Sequence, residues 1–76
     1  NRKIRKAEKD VEDVEKQVSA CESELANMNL QLENPDKASD PEFILLYQKK
    51  QRELEQRMYE WEILCEELEE LKTGLN

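Results

Sequence analysis

The sequence predicts an all-α protein, specifically a two-helix antiparallel coiled-coil hairpin. An unbroken apolar repeat in the first half, a proline-bracketed break, and a second repeat in register with the first carry that prediction. The first repeat is Ile4, Ala7, Val11, Val14, Val18, Cys21, Leu25, Met28 and Leu32, spaced alternately three and four residues apart. A strict seven-residue repeat keeps one stripe turned toward a partner helix along its whole length, as a coiled coil requires.

The first helix is expected from about Arg2 to Glu33. Asn34-Pro35 ends it, because the residue before a proline is driven out of the helical region. Residues 34–40 are polar and form the connecting loop. Asp40-Pro41-Glu42 then reads as a helix start. Asp40 is the N-cap acceptor, Pro41 the first helical residue, and Glu42 complements the positive end of the helix dipole. The second helix runs to about Thr73, with Gly74 as its stop. Its seam is expected at Ile44, Tyr47, Gln51, Leu54, Met58, Trp61, Cys65, Leu68, Lys72 and Leu75.

A short connection between two long helices forces them antiparallel. Residue numbers of facing positions then add to a constant. Leu32 with Tyr47, Leu25 with Leu54, Cys21 with Met58, Val18 with Trp61, Val14 with Cys65, and Val11 with Leu68 all satisfy one such constant. That register separates Cys21 from Cys65 by ~10 Å along the axis, beyond the reach of a disulfide. Both are expected as small seam hydrophobes, with a bridge or redox pair as the alternative.

The chain of 76 residues makes a single domain, 1–76. With 41% charged and 5% aromatic residues and a mean hydropathy of −1.03, a core of several layers is excluded. High charge also characterises disordered chains, but here the apolar residues fall on one stripe. No apolar run approaches the ~18 residues of a membrane span, and no signal-peptide pattern occurs. Because the sequence starts without a methionine, it is expected to be a piece of a larger protein.

The net charge of −7 is uneven. Arg2, Lys3, Arg5, Lys6 and Lys9 against Glu8 and Asp10 give the first ten residues +3, leaving −10 for the remainder. In the expected register Glu8, Glu15 and Glu22 share a flank with Glu55, Glu62 and Glu69, while Glu24 lies near Arg57. The acidic flank is either a solvated face or one kept acidic to meet or repel a partner. Leu64 and Leu71 widen the apolar stripe. Leu30, Phe43, Leu45 and Leu46 are expected to close the tip, and Tyr59 and Ile63 lie one turn apart on the back of the second helix. These last two are scattered surface hydrophobes or a self-association contact.

No enzymatic constellation is present. The absence of histidine excludes zinc sites and Cys–His nucleophiles, and a single glycine excludes phosphate-cradling loops. The carboxylates lack the burial that tunes an acid–base pair. No catalytic residue, metal or cofactor is therefore expected in this chain. Two basic clusters remain: Lys49, Lys50, Arg52 and Arg57 on the second helix, and Arg2, Lys3, Arg5 and Lys6 (with Lys9) at the open end. Both are candidates for phosphate contact, the first the better one because it has fewer acidic neighbours. The second is also positioned for neutralisation by Glu66, Glu67, Glu69 and Glu70.

Leu32-Glu33-Asn34-Pro35-Asp36, Asp40-Pro41-Glu42, Glu53-Leu54-Glu55 and Tyr59-Glu60-Trp61-Glu62-Ile63-Leu64 together resemble the C-terminal coiled-coil domain of ABC-F ATPases, Uup-like branch. In that family an antiparallel hairpin with a proline-containing connection follows two ABC-type ATP-binding domains. The resemblance implies a soluble cytoplasmic parent that uses ATP and Mg elsewhere in its chain. It also implies nucleic-acid contact, with DNA or ribosomal RNA, through basic side chains of the hairpin. Lys49, Lys50, Arg52 and Arg57 match that role. The acidic balance departs from it. The competing expectations are a protein-interaction arm, which dimerises or docks onto the parent's ATPase domains, and an unrelated spacer hairpin.

Overall fold

The computed structural model describes residues 2–74, which form α1 (Arg2–Gln31), α2 (Pro35–Ala38) and α3 (Pro41–Thr73). Leu75, the last expected seam position, lies outside the described residues. No strand occurs among those described. The two long helices pack together in a hairpin-like rod measuring 58 × 14 × 13 Å.

Each boundary follows from local hydrogen bonding. The Leu32 N–H still donates to Met28 O at 3.0 Å, but Glu33 then donates to Leu30 O (3.2 Å) and Asn34 to Gln31 O (3.0 Å). The helix thus tightens into three-residue turns and ends slightly before the expected Glu33. Asn34-Pro35 does more than end α1. At φ −79° and ψ 121°, Asn34 is the N-cap of α2, its side-chain oxygen accepting from Asp36 N–H at 3.0 Å. An Asn-Pro step both blocks the preceding helix and starts the next, so the expected 34–40 loop contains a helical turn. The Ser39 hydroxyl donates to Pro35 O at 2.9 Å and closes that turn.

Asp40 caps α3 as expected. It is extended (φ −90°, ψ 109°), and its Oδ1 accepts from Glu42 N–H at 3.0 Å, with Pro41 in the first helical position. At the far end Gly74 N–H donates to Glu70 O at 2.8 Å. Gly74 stays right-handed at φ −66°, so α3 runs out without the left-handed reversal glycine permits.

The core comes from α1. Val11, Val14, Cys21 and Leu25 are its buried side chains, and the larger side chains of α3 lie over them while keeping an outer flank in water. Along α3 the half-buried positions include Tyr47, Lys50, Leu54, Arg57, Leu64, Leu68 and Leu71, whereas Gln51 and Lys72 are exposed and Met58 is 46% exposed. The inward face is therefore rotated from the expected seam. Ile44, Tyr47, Leu54, Cys65 and Leu68 keep their places, but Lys50, Arg57, Leu64 and Leu71 join them while Gln51, Met58 and Lys72 turn outward. Two physical gains favour the rotation. It brings Leu64 and Leu71 inward, and Lys50 and Arg57 lay aliphatic stems along the seam while their charged heads reach carboxylates at its edge.

The register differs too. Asn29 Oδ1 accepts from Tyr47 OH at 2.6 Å, Glu24 meets Lys50, the Cys21 thiol reaches Glu53, and Glu15 Oε1 accepts from Trp61 Nε1 at 3.0 Å. Falling positions on α1 meet rising positions on α3. Each α3 partner lies about one turn N-terminal to the one expected from pairing Cys21 with Met58 and Val14 with Cys65. The same two helices admit both registers because each α3 stripe repeats with a three–four spacing.

The tip is closed by α2 and Phe43 rather than by its leucines. Leu30, Leu45 and Leu46 are 65%, 63% and 58% exposed, so they do not close it. Phe43 is half-buried instead, with the Lys37 ammonium 5.5 Å from its ring centroid.

Candidate functional site

The most organised polar cluster spans the two long helices. Lys50 Nζ lies 2.6 Å from Glu24 Oε2 and 3.1 Å from Glu53 Oε2. The hydrogen bond to Glu24, seconded by that to Glu53, raises the Lys50 pKa, so its ammonium persists far into alkaline solution. Lys50 in return holds the Glu53 carboxyl below the usual range, first through its hydrogen bond and then through its charge. Burial pushes the Cys21 thiol up, and the Glu53 carboxylate adds to that effect. Both cysteines are free thiols, Cys21 buried and Cys65 half-buried. Burial also raises the Cys65 thiol, with Glu15 and Glu69 contributing. The Lys50–Glu24 pair bridges the two long helices. Neither thiol is activated.

The basic candidates consequently fall into different environments. Lys50 is engaged, with only 24% of its side chain exposed. Arg57 pairs with Glu60 at 3.2 Å, and Glu24, its expected partner, is taken by Lys50. Lys49 and Arg52 are exposed on the outer face of α3. At the far end Arg2, Lys3, Arg5 and Lys6 are exposed. There Lys6 pairs with Asp10 of its own helix at 3.3 Å rather than with an acidic residue of α3.

On the acidic flank Glu15, Val18, Glu22, Met58 and Trp61 line an open groove. Glu15 is relieved there by the indole N–H of Trp61, which sequence reasoning misses because the expected register sets Glu15 level with Leu64. Tyr59 and Ile63 stand outward as expected, 66% and 38% exposed. Leu45 joins them on the outer face of α3 at 63% exposed. The signal that could have found that outer face is a second three–four repeat on α3, hidden because most of its members are polar.

Among the described residues, no group of acidic, cysteine or histidine side chains could hold a metal ion, and no helix is long and apolar enough to cross a membrane. Comparison with protein-family models, curated proteins and solved structures finds no match for this chain. Fold and surface define an all-α protein built on two long packed helices.

Proposed function

We propose that this chain is an antiparallel coiled-coil hairpin that works as a non-catalytic protein-interaction arm and self-associates through the outer face of α3. One observation carries the reading. Leu45, Tyr59 and Ile63 stand exposed on the side of α3 turned away from α1. Large apolar side chains aligned on an otherwise solvated helix face suit another helix rather than water. The two-helix seam itself is shallow, and so small a domain gains from added packing. Sedimentation of the wild type beside a Tyr59→Ser/Ile63→Ser variant tests the reading. The wild-type mass should rise with concentration while the variant stays monomeric. Identical monomers would refute it.

A second reading is favoured by the exposure of Lys49 and Arg52. In it, the chain is the C-terminal appendage of a cytoplasmic ABC-F ATPase and contacts DNA or ribosomal RNA. Engagement of Lys50 and Arg57 by carboxylates leaves it less support than the first. A nucleic-acid titration at two salt concentrations tests it, because counterion release predicts affinity falling with salt. A Lys49→Ala/Arg52→Ala variant should flatten that slope. Lack of binding at low salt would overturn the reading for the isolated chain.

A further inference from the structure

Eight positions on the outer face of α3 continue the seven-residue repeat from end to end: Leu45, Lys49, Arg52, Gln56, Tyr59, Ile63, Glu66 and Glu70. All eight are exposed. Their charges are sorted along the helix, with the two cations in the N-terminal half and the two carboxylates in the C-terminal half. We infer that this stripe is self-complementary and pairs with the same stripe of a second copy, the two α3 helices antiparallel about a two-fold axis between Gln56 and Tyr59. The inference rests on the self-association proposed above and adds its geometry.

A two-fold axis there sets each Gln56 against the Tyr59 of the other copy, Arg52 against Ile63, Lys49 against Glu66, and Leu45 against Glu70. Every facing pair occurs twice, as an isologous interface requires. The centre holds both tyrosine rings, and both isoleucines are covered by arginine stems. The Lys49–Glu66 pairs lie farther out, where opposite charges at facing positions set partner orientation. A parallel pairing would instead oppose Lys49 to Lys49, Arg52 to Arg52, Glu66 to Glu66 and Glu70 to Glu70. Charge therefore selects the antiparallel arrangement.

The footprint is small. From Leu45 to Glu70 the stripe is ~38 Å long and ~10 Å wide, a footprint of ~400 Å² per copy. That is about half the ~800 Å² per partner of a standard stable interface. An interface this small belongs to the weak, transient class, and its exposed charge pairs make it sensitive to salt. It also covers Lys49 and Arg52, so self-association and phosphate contact compete for one face.

Sedimentation equilibrium at low salt on four samples tests the geometry: wild type, Lys49→Glu, Glu66→Lys, and an equimolar mixture of the two single variants. Circular dichroism confirms that each remains helical. Either single reversal places two like-charged pairs across the axis and should weaken association about tenfold. The mixture should recover wild-type association. In the mixed dimer the introduced carboxylate of one variant faces the introduced ammonium of the other, and the native Glu66 of the first faces the native Lys49 of the second. A Lys49→Glu/Glu66→Lys double variant should recover it as well. If the wild type dimerises but the single reversals leave it unchanged, or the mixture fails to recover, this geometry is overturned while self-association stands. A monomeric wild type up to about 1 mM overturns both.

Discussion

Replacing Leu25 by alanine tests whether the buried strip of α1 holds the rod together. Leu25 is 8% exposed. Truncation to alanine removes three carbons from a dry site, a loss of about 2.4 kcal/mol at ~0.8 kcal/mol per methylene group. The added cavity cost is small, because a seam between only two helices can close partway, so the total is about 2.5–3 kcal/mol. Domains of this size have a stability of roughly 4–11 kcal/mol, and each kcal/mol moves Tm by ~4–8 °C. The variant should therefore melt at least ~10 °C below the wild type, followed by circular dichroism at low protein concentration. Leu45→Ala supplies the contrast. Leu45 is 63% exposed, and in the monomer its truncation should cost no more than about 0.5 kcal/mol. Equal shifts for the two variants would refute the assignment of the core to the inner strip of α1.

Three further outcomes follow from the same geometry. Leu64→Ala should cost about 1–2 kcal/mol in chemical denaturation, and Met58→Ala under about 1 kcal/mol, since Leu64 is half-buried while Met58, at the edge of the groove with Val18 and Glu22, is 46% exposed; the reverse order would restore the expected seam. Asp40→Ala removes the acceptor for Glu42 N–H and should lower stability by about 1 kcal/mol, with Asp40→Asn nearly neutral by the same denaturation assay. Acidification should lower Tm in a way that Glu53→Gln blunts. The folded-state pKa of Glu53 lies below its ordinary value of 4.5, so its stabilising share is present above that pH and lost as pH falls through the lower folded value. Lys50, raised in the folded state, stays charged across that window and does not reverse the trend.

The first helix is legible almost to the residue because its stripe is both apolar and strictly periodic, so pattern and burial coincide. Asp40-Pro41 is equally legible, since the N-cap acceptor and the first-turn proline act locally. The orientation of α3 is not. Lys50 and Arg57 look like solvent residues in a sequence, yet their stems serve as seam and their heads find Glu24 and Glu60. With those two discounted, hydropathy favours Met58 as the inward choice, and the register moves by about a turn with it. Asn34-Pro35 misleads differently, because a single step carries both a stop and a start. Hydrophobicity alone assigns the tip leucines inward, although two helices cannot surround a residue on their outer sides. The division of the basic residues into engaged and outward-facing groups depends on α3's rotation, and no local pattern supplies it.

Trp61 is the sole indole of the chain, and its ring N–H is bonded to a carboxylate on the opposite helix. Its emission colour and quenching by acrylamide thus report directly on whether the two rods are joined. Separation would release the ring from Glu15 and bathe it in water, giving a red shift without any attached dye. The protein carries its own gauge of zippering, placed far enough from the tip to register opening from the terminal end.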